Sequence, residues 1–288
     1  MLLVTGATGK VGTAVLAELA NGPHRVRALV RDASKLTVRA PNIEVVSGDF
    51  SNPASLDAAL VDVDAAFLAS AFDPRMTETQ LQFVDAAKRA KLPRVVQLSS
   101  IGANSGQCCV RTLRWLGQVE SALEAAGITN TSLRAAFFFQ NLLKYGDSVA
   151  KDGVIAGPFR NIQLAWIDAR DVGAVAAKAL ADPSHAGKTY SLSTAQTLSY
   201  HEIAERLGKV LQMPVRYMDI SANEARARLR VAGISPVLIE ATIEIWDAFA
   251  SGYIKFEPTQ TLKELLGREP RSLEDFARDY RNRFLRAA

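Results

Sequence analysis

LLVTGATGKVG, residues Leu2 to Gly12, decides the reading of this chain. An apolar run breaks into a turn with glycines at Gly6, Gly9 and Gly12, and VGTAVLAEL then follows with the apolar spacing of a helix. Strand, glycine turn and helix start together are the context in which such a triplet signals a dinucleotide site. Gly6 permits the turn, Gly9 lets the backbone approach a pyrophosphate, and Gly12 lets helix and strand pack closely. The helix start offers N–H groups and a partial positive charge to phosphates. Thr8, Lys10 and Val11 therefore join the three glycines as expected cofactor contacts. The bland alternative is a glycine-rich loop without a ligand, and the motif's place at the head of a βαβ pattern argues against it.

The second half of the fingerprint falls about 20 residues on, at the end of the next strand. That strand is HRVRALVR, His24 to Arg31, and Asp32 follows it. An acid there accepts from a ribose 2′-hydroxyl, whereas an arginine pairs with a 2′-phosphate. Arg31 comes first, Lys35 lies four residues later, and Lys10 sits in the glycine turn. Three cations around one position favour NADP(H) over NAD. The alternative leaves Arg31 and Lys35 as solvated charges and gives the ribose to Asp32.

Working outward, the chain alternates strands and helices. IEVVSGDF, Ile43 to Phe50, reads as a third strand whose Asp49 would accept from an adenine amino group and whose Phe50 would offer the ring an apolar face. Asn52-Pro53 reads as a helix cap with proline at the first position. AAFLASAF is a buried fourth strand, with Ala69 and Ser70 as further cofactor contacts, and a helix follows from about Arg75 to Lys91. RVVQLSSIGA, Arg94 to Ala103, is a fifth strand carrying Ser99 and Ser100 where a nicotinamide and its substrate should meet. A helix stopped by Gly127 leads to a sixth strand, TNTSLRAAFFFQN, which runs into Phe137, Phe138 and Phe139. WIDARDVGAVAAKAL reads as a short edge and a helix, and Ser199 with Glu202, and Ser272 with Asp275, cap later helices. The pattern predicts an α/β fold, a doubly wound parallel (Rossmann) sheet with a smaller, mostly helical C-terminal substrate lobe. The expected division is 1–136 and 162–193 for the dinucleotide core, and 137–161 and 194–288 for the substrate lobe.

Composition narrows the classes. Hydrophobic residues make up 48% and charged residues 22%, as in an ordinary globular chain with ample core. The net charge of +4 is spread along the chain without a nucleic-acid-binding signature, and the densest cluster, Arg278, Arg281, Arg283 and Arg286, suits a helix C-terminus. Cys108 and Cys109 are adjacent, a poor geometry for a disulfide, and His24, His185 and His201 are too far apart for a metal site. The longest apolar run is far short of a membrane span, and no leader pattern opens the chain, so a cytoplasmic protein is expected, monomer or homodimer, without membrane or nucleic-acid partners.

By this point the order of motifs is specific: TGATGKVG, VRALVRD, SGDF, LSSIGA, GQVESALEAAGIT, LRAAFFFQN, WIDARDV, GKTYSLS with LSYHEIAERLGKVLQMPV, and the terminal LLGREPRSLEDFAR. Over essentially the whole chain this resembles the NmrA-like atypical short-chain dehydrogenase/reductases. The resemblance implies NADP(H) binding, and an activity of the quinone oxidoreductase or triphenylmethane reductase kind, or else a non-catalytic redox sensor. Two departures stand out. The tyrosine of conventional members, with a lysine four residues later, has no counterpart between Ile101 and Gln140. The histidine that many atypical members show four residues before the position of Glu120 is Leu116, and the proline after Arg134 is Ala135; the asparagine survives as Asn141.

Without a placed acid, hydride addition to a plain ketone lacks help worth about 10²–10⁴-fold. A quinone yields a weakly basic phenolate, and an imine in its iminium form or a cationic dye needs no proton for the hydride step. The residues therefore point to activated, flat acceptors, with Phe137, Phe138, Phe139 and Trp166 as aromatic walls and Ser99 and Asn141 orienting the acceptor. At least one of the three phenylalanines must instead face a core, given the period of a strand.

Overall fold

The computed structural model describes residues 1–103, 110–255 and 258–285, so Cys108, Cys109 and Arg286 lie outside it. In chain order the elements begin β1 (Leu2–Val4), α1 (Lys10–Leu19), β2 (Val26–Val30), β3 (Ile43–Ser47), α2 (Pro53–Ala59), β4 (Ala65–Leu68) and α3 (Met76–Arg89). There follow β5 (Arg94–Ser100), α4 (Arg111–Ala125), β6 (Thr129–Ala135), β7 (Phe137–Phe138), α5 (Gly146–Asp152), β8 (Val154–Gly157), β9 (Leu164–Ile167) and α6 (Ala169–Ala181). The rest comprises β10 (Thr189–Leu192), β11 (Thr197–Leu198), α7 (Tyr200–Leu211), β12 (Arg216–Asp219), α8 (Ala222–Val231), α9 (Pro236–Ala250), α10 (Thr261–Leu266), α11 (Leu273–Asp279) and α12 (Arg281–Leu285).

Seven strands form one sheet in the order β10-β6-β5-β4-β1-β2-β3, and every pair is parallel. This is the doubly wound order, with its reversal between β1 and β4. Central strands of such a sheet are covered on both faces and so read as continuous apolar runs. Leu2–Val4 and Ala65–Leu68 are buried at every position. A core of Leu3, Leu56, Phe83, Val95 and Leu123, among others, joins strands to α2, α3 and α4. α1 and α6 lie together elsewhere on the same unit: a Cβ on Gly173 would sit 2.4 Å from the Ala14 Cβ. The Arg94 guanidinium donates to the Ala179 and Leu180 carbonyls, which are orphan acceptors at the end of α6.

The chain divides into two compact units, 1–109 with 113–135 and 169–192, and 110–112 with 136–168 and 193–288. The sequence reading placed 162–168 with the dinucleotide core. In the structure β9 belongs instead to a small sheet with β7 and β11, in the order β11-β9-β7. The long sixth strand also breaks: β6 ends at Ala135, Phe137 and Phe138 pair with Trp166 and Ile167, and Phe139 opens a 3-10 helix to Tyr145. Rings that pack against β9 cannot continue the register of β6.

The helix caps are those the sequence spells. Asn52 accepts from the Ser55 N–H, and Ser199 with Glu202 and Ser272 with Asp275 form capping boxes, as do Ser221 and Glu224. Among the described residues no helix is long and apolar enough to cross a membrane. The closeness of α1 and α6 sets an expectation. Gly173→Ala should cost about 1–3 kcal/mol of unfolding free energy by overpacking, read from urea denaturation; an unchanged midpoint would mean the two helices separate freely.

Candidate functional site

The turn after β1 is held from three sides. Gly6 has φ +58, the left-handed region where glycine is at no disadvantage, and a Cβ there would lie 2.9 Å from the Ala69 carbonyl oxygen. A Cβ on Gly12 would lie only 2.1 Å from the Gly6 oxygen. The Gly9 N–H donates to that same oxygen at 2.8 Å. Buried Thr5 ties the turn to β4, its hydroxyl accepting from the Ala69 N–H at 3.0 Å and facing the Phe67 and Ala69 carbonyls at 2.9 and 3.0 Å. α1 starts on Gly9 with no side-chain cap, and its first turn carries no acid. Such a helix end satisfies an incoming anion with N–H groups. The Val11 side chain is buried, so only its backbone serves such a site, while Thr8 and Lys10 are exposed. Surrounding protein lowers the Lys10 pKa from its ordinary value by desolvation. A phosphate beside it would oppose that shift.

At the end of β2, Asp32 is occupied locally. Its Oδ1 accepts from the Ser34 N–H at 2.9 Å and the Ser34 hydroxyl at 2.6 Å, capping the short turn Ala33–Lys35. These bonds, the hydroxyl's first, hold the carboxyl below its ordinary pKa. Lys35 lies 3.8 Å from the same carboxylate, both groups exposed. The Arg31 guanidinium makes no hydrogen bond or ion pair among the described residues. It is felt by Asp49, whose pKa is lowered first by the Ser51 hydroxyl, then by the Ser51 N–H, and also by Arg31 and Arg75. The Asp49 Oδ1 accepts both Ser51 bonds, at 2.8 and 2.7 Å. Phe50 leans on Phe83 with ring centroids 5.5 Å apart, so one face is committed to the core.

Two features of the site escaped the sequence reading. Gln80 of α3 is buried and donates through Nε2 to the Ser70 hydroxyl at 2.9 Å, while its Oε1 has no partner. A glutamine on the stripe of Phe83, Val84 and Ala87 was the signal. The other is the pair behind Ser99. Ser99 is 4% exposed and donates its proton to Glu120 Oε1 at 2.6 Å. Arg134 clamps the same carboxylate, Nε to Oε1 at 3.2 Å and Nη2 to Oε2 at 2.6 Å. The Ser99 hydroxyl thus has no proton to spare for an acceptor oxygen. Ser100, half-buried on the opposite face of β5, makes only long contacts to the Ile101 and Ala135 carbonyls, at 3.3 and 3.5 Å.

The aromatic residues separate in the same way. Trp166 is 1% exposed, donates its indole N–H to the Leu198 carbonyl at 3.0 Å, and stacks on Phe139, which in turn stacks on Phe276. These are core rings, and no substrate can lie on them. Phe137 and Phe138 are half-buried, and Phe137 meets Trp166 and Phe249 edge-on. Asn141 lies half-buried in the 3-10 helix that Phe139 opens. That helix ends in Tyr145, hydrogen-bonded to Tyr200 and raised well above its ordinary pKa chiefly by burial. Its proton is held more tightly than in water, the opposite of a tuned acid.

The NmrA-like family model matches residues 1–277. The chain belongs to the NmrA-like family. An NAD(P)H azoreductase of Xenophilus azovorans is 32% identical over 279 residues, covering 96% of this chain and 97% of that protein. A (4-alkanoyl-5-oxo-2,5-dihydrofuran-3-yl)methyl phosphate reductase of Streptomyces griseus is 33% identical over 285 residues and 99% of both. Among solved structures, an NADPH-dependent quinone oxidoreductase of Escherichia coli complexed with NADPH superposes with a TM-score of 0.86 at 24% identity, covering 98% of this chain and 100% of that one. Membership of the NmrA-like family leaves the role of each residue to the geometry above.

The Glu120–Arg134 pair is mostly buried, at 11% and 23% side-chain exposure. Arg134→Met should therefore cost about 3 kcal/mol or more, because it strands a carboxylate, and Glu120→Leu in the same chain should recover most of the loss. Equal stability of the single and double variants in denaturant titration would contradict this account of the pair.

Proposed function

We propose that the chain is an NADPH-dependent reductase that delivers hydride to an activated, flat acceptor such as a quinone, an imine or a cationic dye. The observation that carries the acceptor class is the Ser99 hydroxyl, whose proton is spent on Glu120 at 2.6 Å. The residues of the glycine turn fit a dinucleotide. Its cradle exists because residues 6 and 12 lack side chains, and the helix behind it starts uncapped.

In this reading Gly6, Thr8, Gly9, Lys10, Val11 and Gly12 hold the pyrophosphate. Arg31, with Lys35 and Lys10, takes the 2′-phosphate that Asp32, tied to Ser34, does not compete for. Asp49 and Phe50 receive the adenine, and Ala69, Ser70 and Ser100 the nicotinamide half, with Gln80 holding the Ser70 hydroxyl in place. Bound there, the dinucleotide supplies a hydride. Phe137 and Phe138 face the acceptor, and Asn141 orients its oxygen or nitrogen. Ser99 acts as an acceptor of hydrogen bonds only. With no side chain among the described residues placed to give up a proton, catalysis rests on proximity and orientation, and the substrates are those whose reduced form needs no strong acid. The azo and dihydrofuranone groups in the names of the two relatives support a conjugated acceptor.

The same lack of a proton donor supports a second reading, a non-catalytic NADP(H) sensor of the NmrA type. NADPH oxidation against a panel of quinones, imines and cationic dyes separates the two. Turnover above the uncatalysed rate supports the reductase. Dinucleotide binding with no turnover on any acceptor supports the sensor.

Two further outcomes are expected. NADPH should bind roughly ten- to hundredfold tighter than NADH, the range of about 1.5–3 kcal/mol for a charge-assisted bond, and Arg31→Ala should remove most of that preference; calorimetry giving an unchanged preference would contradict the assignment. Turnover of a quinone should vary little between about pH 6 and 8, where no essential acid titrates. A sharp bell in that range would mean that a donor side chain is at work.

A further inference from the structure

The second compact unit carries a groove of about 680 Å³ beside Phe249. Its wall is made by two stretches, 160–163 after β8 and 249–255 at the end of α9, and it mixes Ile162, Phe249 and Ile254 with Arg160, Gln163 and Lys255. Neither the Arg160 guanidinium nor the Lys255 ammonium has an ion pair or hydrogen bond among the described residues. Elsewhere in this unit Arg206, Arg226, Lys263, Arg278 and Arg283 each meet a carboxylate. Two acids among the described residues beside this wall are committed: Glu202 accepts from Ser199 and from the Gln163 amide, and Asp219 accepts the Arg160 N–H at 2.9 Å.

The backbone adds a second observation. Arg160 has φ +47, a left-handed conformation that a long side chain rarely adopts. It is held there by its bond to Asp219, and by Tyr217, whose hydroxyl accepts the Phe159 N–H at 2.8 Å. Glycine or asparagine would meet that turn with less strain, yet the position presents a guanidinium to the groove. Phe249, on the same wall, meets Phe137 edge-on at 5.2 Å, so one residue of the groove touches the ring assigned above to the acceptor.

We propose that this groove binds the anionic substituent of an aryl acceptor, with the ring system on Phe249 and Ile254 and the sulfonate, carboxylate or phosphate on Arg160 and Lys255. The assignment to an acceptor rests on the reductase reading; the anion site does not. An apolar wall ending in two cations with no ion pair among the described residues selects a ligand that is flat at one end and charged at the other.

The test uses the intact chain. Calorimetry compares naphthalene sulfonate with naphthalene methanol, and steady-state assays with NADPH compare a naphthoquinone sulfonate with its parent naphthoquinone. The sulfonate should bind about tenfold tighter than the neutral alcohol, the scale of two exposed charge pairs, and the advantage should shrink as salt is raised. KM should show the same preference. Arg160→Gln with Lys255→Gln should abolish it, and Lys255→Arg should retain it, with the thermal midpoints of both variants confirming that they fold. Equal binding of the two naphthalenes, or a preference that survives the double substitution, would overturn the anion groove. Turnover of both quinones without a charge preference overturns the groove and leaves the reductase standing. Charge-selective binding without any turnover supports the groove and overturns the reductase reading.

Discussion

The carbonyl oxygen of Gly6 occupies the space that a side chain at residue 12 would need, 2.1 Å from an ideal Cβ. That contact seats α1 directly on the turn after β1. Thr5 and the Ala69 backbone close the same turn against β4, so the reversal point of the sheet is one connected piece. From there the chain leaves β1 for β2 and β4 for β5, on opposite sides in the sheet order, and α1 begins with N–H groups that no side chain caps. A phosphate-sized anion is what the geometry and the dipole both favour.

Electrostatics within the same unit separate binding from chemistry. Among the described residues Arg31 has no ion pair, whereas Asp32 and Asp49 are each drawn into turns by a serine two residues on. At the end of β5 the opposite has happened. Ser99, Glu120 and Arg134 satisfy one another, and the network is closed before any ligand arrives. A closed network of this kind has no proton to give, and this supports the proposal of an acceptor reactive in itself.

Much of this was legible in the sequence, and the reasons are local. Glycine spacing, strand runs and capping boxes act within a few residues, so β1 to β5, the Asn52 cap and the Ser199–Glu202 box could be read directly. The break after Ala135 could not, because LRAAFFF contains no glycine, proline or other stop signal, and the structure shows Phe137 and Phe138 pairing with Trp166 and Ile167 instead. Trp166 read as a wall because an aromatic carries no sign of which face is dry. The Ser99–Glu120 bond spans 21 residues, and the sequence reading used Glu120 and Arg134 only as landmarks of the family pattern, without pairing them. Arg134, the one charge in β6, was the available clue.

The central claim is that hydride moves to an already activated acceptor with no proton supplied by the protein in the same step. The direct measurement is a paired isotope experiment on a cationic dye, using NADPH deuterated at the transferring position and, separately, deuterated solvent. The account predicts a primary isotope effect from the labelled cofactor, with the label recovered on carbon in the product, and a solvent isotope effect on kcat/KM close to unity. A solvent effect clearly above unity that multiplies the primary one would place proton transfer in the transition state and contradict it.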